Sequence, residues 1–373
     1  MTIAMPFPRL SRRRLVMATG ALAATGFAPV AFGQERRFDP QPGDWRTFDV
    51  TTQVEIKDAS DATRVWLPIP SIDSPYQKSY ESTWTANASS ARIVSDSKYG
   101  ARMLYAEFDA ATKPPKLALT SRVQTRNRAT DWERRVDVSE DAATLKSWTR
   151  PTDLMPTDGI VLDTAREATR GAWTDEAKVR QIYDWVVANT YREPTVKGCG
   201  VGDIKGMLET NNMGGKCADL NALFVGLCRA SGIPARDLYG IRVAKSAFNY
   251  KELGAGSPDI SKAQHCRAEV WLADYGWVAM DPADVAKVMR QETPEWIKDP
   301  KHEVAAPVYS ALFGAWEGNW MGYNTAHDVV LVGSNGPKLG FLMYPQAETR
   351  GERLDSLDPD TFKYKITARE VTG

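Results

Sequence analysis

The spacing of apolar residues changes twice along this chain, and those changes confine it to an α+β fold. From Trp45 to about Ala129 the sequence reads as short alternating runs separated by turn-rich segments. Val50, Thr52, Val54 and Ile56 alternate with Thr51, Gln53 and Glu55, which is the period of a half-buried strand. Further strands are expected at 64–70, 91–94, 103–108 and 117–123. Such a succession predicts an antiparallel β-sandwich over residues 34–150. A linker falls near 149–158, where Pro151 and Pro156 stand among polar residues.

The period then shifts to steps of three and four, predicting helices over 163–172 and 175–189. Thr174 suits the N-cap of the second, and Asp175 and Glu176 suit the positive end of its dipole. Gly214-Gly215-Lys216 interrupts the chain, and a third helix is expected from about Cys217 to Ala230. Ser231-Gly232-Ile233-Pro234 stops it. Strands are expected next at 235–243, 265–272 and 277–280, the last two joined by a turn about Asp274-Tyr275-Gly276. Beyond Ala326 the chain reads as β again, at 327–332, 340–344 and 362–368. The expected division is a helix-bearing domain over 151–300 and a C-terminal β extension over 301–373.

Residues 1–33 read as an address. Ser11-Arg12-Arg13-Arg14-Leu15-Val16-Met17 resembles a twin-arginine export motif, followed by an Ala- and Gly-rich run without acidic residues. Ala31-Phe32-Gly33 supplies small residues for cleavage, so Gln34 is expected to begin a mature chain that is periplasmic or secreted. The whole sequence carries 47 basic and 47 acidic residues, and bulk charge therefore gives no reason to expect a nucleic-acid partner. No interior stretch is long and apolar enough to span a bilayer.

The four cysteines, Cys199, Cys217, Cys228 and Cys266, form no C-x-x-C pair, so neither a zinc site nor a thioredoxin-like pair is expected. A bridge between Cys199 and Cys266 stays open. Glycines before a helix expose its first N–H groups, and a cysteine placed there is favoured as thiolate by the positive end of the dipole. The same N–H groups suit an oxyanion. Cys217 occupies that position, although a small core residue opening a buried helix reads the same way. Cys228 lies amid Leu223, Phe224 and Leu227 and reads as packing.

A thiolate needs a base, and the chain holds three histidines. His302 stands in a charged stretch that reads as exposed. His327 begins a strand and remains a candidate. His265 also begins a strand, and the strand after it ends at Asp281-Pro282, where a carboxylate could orient the imidazole. Alternation puts His265 and Asp281 on one face, but a regular hairpin offsets them, so a bulge or irregular register is expected to bring them together.

Three blocks now stand in order: Gly215-Lys216-Cys217-Ala218-Asp219, His265-Cys266-Arg267-Ala268-Glu269-Val270-Trp271, and Tyr275-Gly276-Trp277-Val278-Ala279-Met280-Asp281-Pro282. Together with Arg229-Ala230-Ser231-Gly232-Ile233-Pro234-Ala235-Arg236, they resemble the transglutaminase-like superfamily over about 163–288. The resemblance implies a papain-like core, with the Cys217 helix packed on an antiparallel sheet that carries His265 and Asp281. It further implies that Cys217 attacks an amide carbonyl, His265 shuttles the proton and Asp281 orients His265. Tyr191 is a candidate oxyanion donor, and Trp271 and Trp277 are candidates for lining an acyl groove. Asp219 and Asn221 are expected to brace the Cys217 turn, and Cys266, by alternation, to face away from His265's site.

The function expected is cleavage or transfer of acyl groups at amide bonds of peptides or cell-wall cross-links, through a thioester. Cross-linking to an amine acceptor uses the same triad, and a turnover-free binding or assembly module would keep the same fold. No cofactor or metal is expected. Calcium-loop, phosphate-loop and serine-elbow patterns are all missing.

Overall fold

A computed structural model of the chain describes residues 36–57, 59 and 61–371. The expected export leader therefore lies outside the described residues. Among those residues no helix is long and apolar enough to cross a membrane.

Two antiparallel sheets form the β layer. The first runs Lys363–Val371, Arg46–Glu55, Lys116–Thr125, Gln77–Ala86, and the second Glu352–Arg353, Gln346–Thr349, Thr63–Pro68, Arg102–Phe108, Ser90–Ser95. Val54, Leu117 and Leu119 of the first share one buried cluster with Val65, Leu67, Leu104 and Ala106 of the second. The predicted sandwich is thus present. Its most polar strand, Gln77–Ala86, carries no apolar alternation because it is an edge, with Tyr80 and Trp84 exposed.

The expected C-terminal extension needs correction. Lys363–Val371 pairs with Arg46–Glu55 along its whole length, and Gln346–Thr349 pairs with Thr63–Pro68. The end of the chain therefore completes both sheets instead of forming an appended unit. Without those strands, Arg46–Glu55 and Thr63–Pro68 would each present a row of unpaired backbone groups.

The third sheet runs Gly276–Met280, Gln264–Leu272, Ala235–Arg242, Trp320–Asn324. The Cys217–Ala230 helix lies on it, with Leu223, Phe224 and Leu227 clustered with Ala268, Val270 and Leu272. Every residue from Cys217 to Arg229 is buried, as befits a central helix that is apolar on most sides. Gly159–Ala168 and Asp175–Asn189 join the same core through Val161, Ala165, Val179, Ile182 and Val186. Thr174 caps the latter as expected, its hydroxyl accepting from the Ala177 N–H at 3.1 Å. The former starts four residues earlier than the periodicity placed it. Four further helices, Ala142–Ser147, Ile204–Thr210, Pro282–Gln291 and Ala306–Ala311, were not read from the sequence.

The β layer is tied to this sheet by a buried charge. Glu269 is held by Arg128 and by Arg236 (2.7 Å), and accepts a hydrogen bond from the Tyr76 hydroxyl at 3.0 Å. Burial opposes its ionisation, but the two guanidinium groups prevail and hold its carboxyl down at about 2. Glu269→Gln leaves two arginines partly unpaired, with side chains 15% and 23% exposed. We expect a loss of about 2–3 kcal/mol, below the fully buried limit because water screens both arginines. The group's pKa is depressed on folding, so this stabilisation is present above about 4.5 and lost as pH falls toward 2. Urea unfolding of the two proteins at pH 7 and pH 3 checks it: a gap that does not shrink in acid contradicts the assignment.

Candidate active site

The turn before Cys217 is built by close backbone approaches. Gly214 pairs with Tyr191, and a Cβ on Gly214 would stand 2.6 Å from the Tyr191 ring. Gly200 has φ +91°, and a Cβ there would meet an Asp219 carboxylate oxygen at 1.8 Å. Asp219 uses that proximity. Its Oδ1 accepts from the Val201 and Gly202 N–H groups at 2.8 and 2.9 Å, and its Oδ2 from the Lys216 N–H at 2.9 Å. The carboxylate therefore pins the 199–202 loop to the start of the Cys217 helix.

Most N–H groups of that first turn are already engaged. Ala218 donates to the Cys199 carbonyl at 2.9 Å, and Asp219 and Leu220 donate to the Lys216 carbonyl. The Cys217 N–H makes no hydrogen bond among the described residues, so the oxyanion donor suggested by the sequence narrows to this one group.

His265 approaches from the sheet. Its Nε2 lies 2.7 Å from Asp281 Oδ2 and 3.3 Å from Asp284 Oδ2, and its ring lines the same cleft as the Cys217 thiol, near enough to favour the thiolate. The register of the hairpin is regular: Ala268 faces Met280 and Leu272 faces Gly276, with no bulge. The expected irregularity is not needed. Continuing that register would put Asp281 opposite Arg267, a diagonal neighbour of His265 on the same face, and diagonal side chains lie within reach. Asp281 then leaves the strand as N-cap of Pro282–Gln291, its Oδ1 accepting from the Asp284 N–H at 3.1 Å. Asn221 braces the junction, its amide donating to the Cys266 carbonyl (2.9 Å) and to Asp281 Oδ1 (3.2 Å).

Asp284 is the site residue that sequence reasoning missed. Asp281-Pro282 is a helix start, with a capping side chain before a proline at the first position, and that signal would have placed Asp284 one turn along. Arg242 holds it through two bonds of 2.6 and 2.8 Å. Burial opposes its charge, but Arg242 and His265 keep its carboxyl well below the usual range. His265, Asp281 and Asp284 bring ligand atoms within 4.8 Å of one another. With Arg242 already bidentate on Asp284, a metal ion there would have to displace a buried guanidinium.

Burial and Arg242 push His265 down, but Asp284 and Asp281 outweigh them and lift it to about 9. Burial and Asp284 raise Asp281, against the pull of His265. For Cys217, burial disfavours the thiolate, while the neighbouring Cys199, Cys266 and His265 favour it and bring it well below the ordinary thiol value. Both shifts run in the direction that favours thiolate and imidazolium.

Cys266 requires a second correction. Alternation holds along its strand, but the Cys217 helix packs on the face of Cys266, Ala268 and Val270, so the Cys266 thiol sits beside Cys217. His265 lies on the other face, at the end that Gly276–Met280 leaves unpaired, and lines the cleft there with Cys217. Cys199 completes the cluster, its thiol donating to the Gln264 carbonyl at 3.3 Å, and all four cysteines are free. Cys228 is buried in the helix core as expected.

The groove residues fall elsewhere than expected. Cys217 and His265 lie in a cleft of about 650 Å³ that Cys199, Gln264 and Tyr344 also line. Trp271 and Trp277 are not among its lining residues. They stack edge to face (5.7 Å) at the other end of their strands, where Arg236 lies 3.9 Å from the Trp277 ring. Tyr191 packs against Trp296 (5.4 Å) and does not line the cleft either. His302 is exposed. His327 is buried against Tyr239 (3.1 Å) and, through burial with Arg229 and Lys98, held well below its usual value, outside the cleft.

The chain resembles known proteins in sequence and in fold. The chain is 33% identical over 350 residues to an uncharacterised protein of Haemophilus influenzae, covering 87% of this chain and 90% of that one. A candidate cysteine protease from Cytophaga hutchinsonii has the same fold at a TM-score of 0.54 and 14% identity, over 89% of this chain and 93% of that one. The periplasmic domain of TgpA from Pseudomonas aeruginosa is a looser likeness, with a TM-score of 0.35, 15% identity and coverage of 74% and 78%. Residues 162–282, which carry Cys217, His265 and Asp281, match the profile of the transglutaminase-like superfamily, and the chain belongs to that superfamily.

Proposed function

We propose that this protein is an exported thiol enzyme that cleaves or transfers acyl groups at amide bonds of peptides, with Cys217, His265 and Asp281 as its catalytic residues. The observation that carries the reading is a cysteine at a helix start, in one cleft with an imidazole that is itself 2.7 Å from a buried carboxylate. Export rests on the Arg12-Arg13 leader alone, and places the enzyme in the periplasm or outside the cell.

The Cys217 thiolate attacks the amide carbonyl carbon, and the charge that develops on oxygen faces the Cys217 N–H. His265 gives its proton to the departing amine nitrogen as the C–N bond breaks, leaving a thioester on Cys217. Asp281 stabilises the imidazolium and fixes its tautomer by accepting from Nε2. Water, losing a proton to His265, then attacks the thioester carbonyl and releases acid and thiolate; an amine acceptor would follow the same course.

The test is to incubate the mature chain with a peptide library, with and without added amine, and to identify products by mass. Peptide carboxylic acids as main products support hydrolysis. Amine adducts that dominate at millimolar amine would move the reading to cross-linking. A Cys217→Ala protein that yields the same products would end both.

A further inference from the structure

The whole sequence is balanced in charge, but the cleft is not. Seven of its lining residues are Lys or Arg, and one, Asp259, is acidic. Asp259 is itself engaged by Lys365 at 3.9 Å and by the Ser261 hydroxyl at 2.6 Å. Internal partners neutralise three of the cations: Arg242 by Asp284, Lys287 by Glu252 and Lys197 by Asp355. Arg192, Lys216, Lys262 and Lys363 make no ion pair among the described residues. Lys216 adjoins Cys217, and burial together with the nearby Arg192 disfavours its charge. Two cations held near each other at the nucleophile, with two exposed lysines along the cleft, are stabilised by negative charge from outside the protein.

We propose that this cleft selects acidic peptides, acyl donors that carry carboxylates close to the scissile amide. The inference rests on the thiol-enzyme reading and names its substrate class. Arg192 and Lys216 are the specificity-determining residues next to the reacting carbonyl, and Lys262 and Lys363 draw the rest of an anionic chain into the cleft.

The test uses the thiol itself and needs no turnover. Labelling of Cys217 is followed by mass mapping, with neutral iodoacetamide and anionic iodoacetate, and N-acetylcysteine serves as the reference thiol. The iodoacetate-to-iodoacetamide rate ratio is expected to exceed that of the reference. It is expected to fall about threefold in a Lys262→Glu, Lys363→Glu double variant, the size expected when two exposed, screened charges are reversed. Raising the salt to 1 M should lower the wild-type ratio toward the reference value, an arm that does not depend on the variant folding. In a second arm, a hexapeptide with three glutamates should slow iodoacetamide labelling at concentrations where its glutamine counterpart does not. A ratio equal to the reference, or insensitive to both salt and charge reversal, overturns the proposal, as does equal protection by the two peptides. If Cys217 labels no faster than a free thiol with either reagent, it is the enzyme reading that fails.

Discussion

Cys217→Ala is expected to abolish acyl transfer, with kcat falling by about 10⁴-fold or more, because no other group on the cleft floor can form the thioester. The neighbouring thiols do not substitute. Cys199 is buried and its thiol donates to the Gln264 carbonyl at 3.3 Å, while Cys266 is held protonated chiefly by burial. The fold should survive, because alanine is a good helix former and the lost sulfur is small, at a cost of about 1 kcal/mol. Turnover is measured on the peptides found by mass, and folding by thermal melting. A folded Cys217→Ala protein that keeps more than about a tenth of wild-type turnover would remove the nucleophile from the mechanism.

Asp281→Asn should lower kcat by about 10²-fold and move the alkaline limb of the pH profile. His265 must be an imidazolium to protonate the departing amine, so activity is retained below its pKa and lost as pH rises through about 9. Burial and Arg242 work against that charge, and the two carboxylates sustain it. Asparagine removes one of them while keeping an oxygen able to cap Pro282–Gln291, so the helix start is preserved. Asp284 stays 3.3 Å from Nε2 and keeps part of the support, so the shift is partial. The limb is therefore expected to shift from about 9 toward neutrality. A profile of kcat against pH with an unmoved alkaline limb would show that Asp284 sustains the imidazolium. Asp284→Asn is a poorer probe, because it strips a buried arginine of its partner and should cost about 3–5 kcal/mol of stability.

Much of the framework was legible because its signals are local. The bounds of Asp175–Asn189 and Cys217–Ala230 follow from a threonine cap, a glycine-rich turn and a Gly-Ile-Pro stop. The alternating strands of the sandwich announced themselves, while Gln77–Ala86 did not, since an edge strand with a polar surface has no apolar period to read. Pro282–Gln291 was overlooked although Asp281-Pro282 marks its start, and Asp284 was overlooked with it. Trp271 and Trp277 drew attention as aromatic residues near His265 in the chain, but strand length carries them to the opposite end of the sheet.

The sequence by itself determined that a cysteine opens a buried helix and that His265 and Asp281 flank a hairpin with an odd turn, because caps, periods and turn residues act over a few positions. Tertiary structure alone decided that the chain's end closes the sandwich, that Cys266 faces the Cys217 helix, and that the diagonal neighbour across a regular register lies within hydrogen-bond reach. It also decided that Arg192, Lys216, Lys262 and Lys363 converge on one cleft in a chain of balanced charge. These are outcomes of long-range pairing and packing, in which partners far apart in the chain are selected by the burial and hydrogen bonds they satisfy together, and no local spacing carries that information.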